Sequence, residues 1–175
     1  MLRSQKIEAF VLKKYSLLNK DIVITVFSRE FGKLGIFAKG VKKINSRRLP
    51  HLQTGNLINV IISQKNSYSY LHETTLISGF SKIKEDGSKM QFAYYMLFVI
   101  ERLLPENQKE DKLYTVLKQF FIDLSKDDEW TVKKFVHYLN LVLRLQGFIN
   151  EDKFLTELNT TIEEIIHEKI PSFAI

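Results

Sequence analysis

The residues best equipped for chemistry in this sequence are cations. From Gly32 to Arg48 the chain reads GKLGIFAKGVKKINSRR, with Lys33, Lys39, Lys42, Lys43, Arg47 and Arg48 and no acidic residue among them. Such a run can hold a polyanion, and neutralising phosphates requires no bond to be made or broken. The groups that bond chemistry needs are scattered or missing. His51, His72, His137 and His167 stand singly, without the spacing of metal ligands, and read as structural or surface histidines. The absence of cysteine excludes a disulfide, a thiolate zinc site and a cysteine nucleophile together, which fits a reducing compartment. Neither a phosphate-binding Gly-Lys-Ser/Thr loop nor a dinucleotide fingerprint occurs. The acidic run Asp127-Asp128-Glu129 reads as the charge complement and cap of a following helix rather than as a metal site. The chain therefore reads as a protein without enzymatic chemistry and without a cofactor.

Alternation sharpens the basic stretch. In a strand the side-chain period is two, so Leu34, Ile36 and Ala38 face one way and Lys33, Gly35, Phe37 and Lys39 the other. An aromatic ring between two cations suits single-stranded nucleic acid, the ring stacking on a base and the cations meeting phosphates. The other reading of Phe37 is burial against the helical half, since a small barrel packs something on its outside. Lys42, Lys43, Arg47 and Arg48 follow among Gly40, Asn45 and Ser46, a context suited to tracking a backbone and not to fixed contacts with base edges. Tyr68, Tyr70 and His72 share one face of a later strand and form either a second stacking platform or a set of buried rings.

These residues need elements to hold them. KIEAFVLKK, DIVITVFS, KLGIFAKG, NLINVIIS and SYSYLHETTLI are strand-like runs separated by turn-forming clusters, including Leu18-Asn19-Lys20-Asp21. Five short strands within about 75 residues predict a small closed or partly closed barrel over 1–80. After Lys84-Glu85-Asp86-Gly87-Ser88 the period changes. KMQFAYYMLFVIERLLP is apolar nearly all round, as for a helix at the centre of a bundle, and Pro105 closes it. KLYTVLKQFFIDL and TVKKFVHYLNLVLRLQGF are amphipathic helices, the second stopped by Gly147. A helical domain over 81–148 is thus expected, with a tail over 149–175 that holds a short helix around TTIEEIIHEKI. The class is α+β, a five-stranded barrel packed on a C-terminal α-helical domain. Charge follows this division: residues 1–50 carry 12 Lys or Arg against 3 Asp or Glu, while residues 81–175 carry 13 against 16. The polyanion belongs with the barrel. No apolar run approaches the roughly 18 residues of a membrane span, and MLRSQKIEAF lacks the apolar core of a signal peptide, so a soluble cytoplasmic protein with no membrane partner is expected.

The order of these segments resembles a known family. Phe27 to Leu34, F-x-R-E-x-G-K-L, then Ala38 to Lys43, A-K-G-x-K-K, then HLQTGNLINVII are similar to the N-terminal domain of RecO, the bacterial recombination and DNA-repair mediator family. FAYYMLFVIERLLPE, VLKQFFIDL and YLNLVLRLQGF resemble that family's helical domain in the same order, so the likeness spans about Lys6 to Phe148. It implies an oligonucleotide-binding (OB) barrel that contacts DNA through Arg29, Lys33, Lys39, Lys42, Lys43, Arg47 and Arg48, with Phe37 as the stacking ring read above. It also implies binding to single- and double-stranded DNA, annealing of complementary strands, association with RecR, and loading of RecA onto DNA coated by single-strand-binding protein.

Two features depart from the family pattern. Many relatives carry a four-cysteine zinc insert after the segment matching LQGF, which a chain without cysteine cannot form. The family also continues through more helices where this chain has only residues 149–175, so it reads as a shortened form. In the family a pocket of the helical domain receives the acidic, apolar C-terminal tail of single-strand-binding protein, and Lys133, Lys134 and Arg144 are the candidates to flank one. The alternative function is a reduced OB-fold interaction protein that mainly docks a partner, with weak DNA or RNA binding.

Overall fold

The computed structural model describes residues 4–17, 21–41 and 47–173. They divide into two compact units, residues 1–79 with 104–110, and residues 80–103 with 111–175. Lys42 and Lys43, the Leu18–Lys20 turn residues and the chain end at Ala174 lie outside the described residues.

The first unit is a closed barrel of β1 (Ser4–Ser16), β2 (Ile22–Ser28), β3 (Gly32–Ala38), β4 (Leu57–Lys65) and β5 (Tyr68–Ser78). Its strand order is β1-β2-β3-β5-β4, closing back on β1, the OB-fold arrangement. All pairings are antiparallel except β3 with β5. A register shift between Val11 and Lys13 lets the 13-residue β1 bend and pair with β4 through its first half and with β2 through its second. The period of two places Ile7, Ala9 and Val11, Ile22, Ile24 and Val26, and Leu34, Ile36 and Ala38 in one core. A 3₁₀ turn, Leu49–Leu52, adds Leu52 to that core, and Val41 joins it just after β3.

Residues 104–110 complete this unit at the start of β3. The Asn107 N–H donates to the Lys33 carbonyl at 2.7 Å, and Glu106 forms a parallel bridge with Lys33. Gly32 makes the approach possible. Its φ is +72°, and a Cβ there would lie 1.8 Å from the Gln108 carbonyl oxygen.

The second unit holds α1 (Ser81–Lys84), α2 (Gly87–Leu103), α3 (Asp111–Lys126), α4 (Val132–Leu145) and α5 (Leu155–Ile166). α2 buries Phe92, Tyr95, Met96, Val99 and Ile100, consistent with its apolar circumference. Phe120 lies within 5.4 to 6.2 Å of the rings of Phe121, Trp130, Phe135 and Tyr138. Gly147, at φ +76°, ends the α4 region as expected, its N–H donating to Arg144 while Phe148 N–H reaches back to Leu143. The cap of α4 differs from expectation. Thr131 Oγ1 accepts from Lys134 N, while Asp127, in the acidic run, takes an ion pair from Lys134 Nζ. The last helix begins earlier than TTIEEIIHEKI suggests, because Leu158 and Ile162 bury together one turn apart and Glu157 accepts from the Phe154 N–H; it stops at His167, whose φ is +55°. No helix among the described residues is long and apolar enough to cross a membrane.

Candidate nucleic-acid interface

The outward face of the barrel gathers the aromatic residues that sequence places on separate strands. Parallel pairing sets Phe37 of β3 opposite Tyr70 of β5, and antiparallel pairing sets Tyr70 opposite Ser63 and Tyr68 opposite Lys65 of β4. The Phe37 ring lies 5.8 Å from Tyr70, tilted by 31°, and 5.5 Å from Tyr68, edge-on at 83°. Lys39 Nζ stands 5.0 Å above the Tyr70 ring. What reads as two platforms is thus one cluster. It lines a groove of about 580 Å³ together with Lys39, Lys65 and His72.

The rings differ in what they have left to offer. Tyr70 is half-buried between Phe37 and Lys39, and Phe37 is half-buried as well, so neither the fully exposed nor the fully buried reading of Phe37 describes it. Tyr68 is 55 % exposed. It sits directly after the two-residue β4–β5 turn, where Asn66 and Ser67 take φ of +49° and +64°. Within the groove His72 Nε2 and Ser63 Oγ are 2.6 Å apart.

The basic residues predicted as contacts do not form one patch. Lys39 is exposed at the groove and Arg47 is exposed just before the 3₁₀ turn. Arg48 is half-buried beside them, its guanidinium donating to the Lys39 carbonyl at 3.1 Å and the His72 carbonyl at 3.4 Å, which ties the chain after β3 to β5. Arg29 and Lys33 lie at the other end of β3, Arg29 in the β2–β3 turn and Lys33 against residues 106–107. Seven strand residues separate the two ends by roughly 20 Å. Lys65 was not among the predicted residues. The two-residue spacer Asn66-Ser67 between Lys65 and Tyr68 is the signal that would have found it, since it makes them cross-strand neighbours.

The second unit has a groove of its own, about 830 Å³, between α3 and α4, lined by Asp123, Lys126, Trp130, Lys133, His137 and Tyr138 among others. Trp130 Nε1 is buried without a hydrogen-bond partner. Burial and the neighbouring Asp123 carboxylate, which accepts from the Tyr138 hydroxyl, push the Tyr138 phenol up. Lys134 is held by Asp127 at 2.5 Å and Glu129 O at 3.1 Å, and Arg144 pairs with Asp152, so of the three predicted flanking cations Lys133 and Lys134 line this groove and Arg144 does not. The Lys134 ammonium holds the Asp127 carboxyl below its ordinary range. Among the described residues no group of three or more His, Asp or Glu converges as a metal site.

Residues 1–80 match the family described as recombination protein O N terminal. The DNA repair protein RecO of Caldanaerobacter subterraneus subsp. tengcongensis is 35 % identical over 117 residues, 67 % of this chain and 47 % of that protein. That of a Thermoanaerobacter species is 31 % identical over 148 residues, 85 % of this chain and 58 % of the relative. That of Syntrophus aciditrophicus is 24 % identical over 148 residues, 83 % of this chain and 56 % of the relative. Alignments of 148 residues extend well past the barrel. The chain spans about half the length of the curated relatives it matches.

Proposed function

We propose that the chain acts as a DNA repair protein of the RecO family, whose N-terminal domain its first 80 residues match, and that its barrel binds DNA without reading sequence. The observation that carries the proposal is the groove where Phe37, Tyr68 and Tyr70 meet Lys39 and Lys65. Rings accept any base and cations accept any phosphate, so the site favours nucleic acid over other polyanions and no particular sequence. Arg47 and, from sequence, Lys42 and Lys43 extend the charge beyond the groove; Arg48 acts by holding the Lys39 backbone in place. Arg29 and Lys33 contact the same polyanion only where it runs the length of β3. Lowering the repulsion between two strands while leaving their base edges free promotes annealing. The likeness to RecO proteins supports a further proposed role, acting with RecR to load RecA onto single-stranded DNA.

The test is fluorescence anisotropy with labelled single-stranded DNA over a salt series, for the native chain and for Lys39→Glu, Lys42→Glu, Lys43→Glu combined. The native chain should show log affinity falling steeply with log salt, and losing three phosphate contacts should flatten the slope by about 2 at roughly 0.7 per contact. Equal slopes would remove this stretch from the DNA contacts. In parallel, complementary oligonucleotides should pair faster with the protein present, and an unchanged rate would leave binding alone.

For the helical unit we propose that the α3–α4 groove takes an acidic, apolar peptide end such as the tail of single-strand-binding protein. Lys126 and Lys133 beside Trp130 and Tyr138 support this reading, placing positive charge next to aromatic surface. Trp130 is the chain's single tryptophan, so its fluorescence should change as such a peptide is added and stay unchanged with a charge-reversed one.

A further inference from the structure

We infer that Tyr68 is the base-stacking residue of the barrel groove and that it makes this groove selective for single strands. The inference rests on the DNA-binding reading above and specifies its ligand. Of the three clustered rings, Tyr70 has one face under Phe37 and the Lys39 ammonium within cation–π distance, and Phe37 is half-buried against both tyrosines. Tyr68 meets Phe37 in a T-shaped contact and is 55 % exposed, so it keeps the most open ring surface for a ligand. Phe37 fixes the orientation of Tyr68, and Lys65, its cross-strand partner, stands where the phosphate of a stacked nucleotide would pass. Inside a duplex both faces of a base are covered by its stacked neighbours, so Tyr68 can stack there only on a base freed from the stack, and binding along the duplex is left to the cations. The His72–Ser63 hydrogen bond engages polar groups that could otherwise meet a base edge, which keeps the site indifferent to base identity.

The experiment measures affinity of the native chain, Tyr68→Ala, Tyr68→Phe and Lys65→Glu for labelled oligothymidylate of about 15 nucleotides and for a duplex of equal length, with thermal melting of each variant as a folding control. Tyr68→Ala should weaken single-strand binding by about 5- to 150-fold, the range for loss of one or a few kilocalories of stacking, and leave duplex affinity and the salt slope within about twofold. Tyr68→Phe should restore native affinity, because the ring and not the hydroxyl carries the contact. Lys65→Glu should weaken both ligands and flatten both slopes. Native single-strand affinity in Tyr68→Ala, or an equal loss on duplex, would overturn the stacking site while leaving DNA binding intact. Failure of the native chain to bind either ligand would overturn the binding proposal and this one with it.

Discussion

Replacing Gly32 by alanine tests how the start of β3 is held. The new Cβ would lie 1.8 Å from Gln108 O and 2.5 Å from Gln108 C, and both are backbone atoms that no rotamer change can clear. Residues 106–108 must therefore retreat, taking with them the 2.7 Å bond from Asn107 N–H to Lys33 O. Losing that bond costs about 1 kcal/mol. Holding alanine at φ +72° adds about 1 to 2 kcal/mol. The sum, about 2 to 3 kcal/mol, corresponds to a fall in melting temperature on the order of 10 °C at roughly 4 °C per kcal/mol. Gly35→Ala is the control. Gly35 lies in the same strand, outside the left-handed region, with nothing within 4 Å of its would-be Cβ, and the change should be neutral or slightly stabilising. Differential scanning calorimetry of the three proteins decides the matter. Equal melting temperatures for Gly32→Ala and Gly35→Ala would refute the close approach. Because Gly32 is at the end of β3 away from Lys39, single-strand affinity measured well below the melting temperature should change by less than about twofold in both variants.

Other changes report on other parts of the molecule. Arg48→Gln should weaken single-strand binding several-fold with little change in salt slope, since the guanidinium is engaged by the Lys39 and His72 carbonyls; a drop in slope of a full phosphate contact would instead make Arg48 a direct ligand. Asp127 has its carboxyl pKa lowered by Lys134, so the native pairing contributes above the ordinary carboxylate range and is lost as pH falls through the lowered value. Lys134→Met should return the Asp127 carboxyl toward its ordinary pKa in an NMR titration, and an unmoved titration would dissociate the shift from that ammonium. Phe120→Ala should destabilise the helical unit by about 3 to 5 kcal/mol in urea denaturation, given its complete burial among four aromatic rings; a loss under 1 kcal/mol would contradict that packing.

The parts legible in sequence were those written in local periodicity. Leu34, Ile36 and Ala38 fall into the core because alternation in a strand is strict, and α2 buries most of its circumference because it has few polar positions to expose. The meeting of Phe37 with Tyr70 was not legible, because it depends on a parallel pairing between residues 33 positions apart that closes the barrel. Arg48 has a second role that a run of cations does not reveal. In a run of cations it reads as a phosphate ligand, but a guanidinium can equally satisfy carbonyls left open beside a strand, and here it serves two. The acidic run before Trp130 reads as a cap because its charge suits a helix start, whereas the capping geometry requires an oxygen one residue before the helix, and Thr131 supplies it.

The seam between β3 and β5 explains why the groove sits where it does. Only Ile36 with Ser69 and Phe37 with Tyr70 pair across it, against seven or more pairs at each other seam of the barrel. A seam that short gains little from backbone bonds, so side chains must help to close it, and Phe37, Tyr70, Lys39 and Arg48 do so from the outside. Outside the barrel, rings and cations that close a seam also form a surface to which bases and phosphates can bind. The residues that close it are consequently poor probes of binding, because substituting Tyr70 or Phe37 alters closure and contact together. Tyr68 stands one turn residue from the hairpin tip with its partner Lys65 beyond the two-pair seam, so its removal leaves both seam pairs and the Phe37–Tyr70 contact in place and reports mainly on stacking.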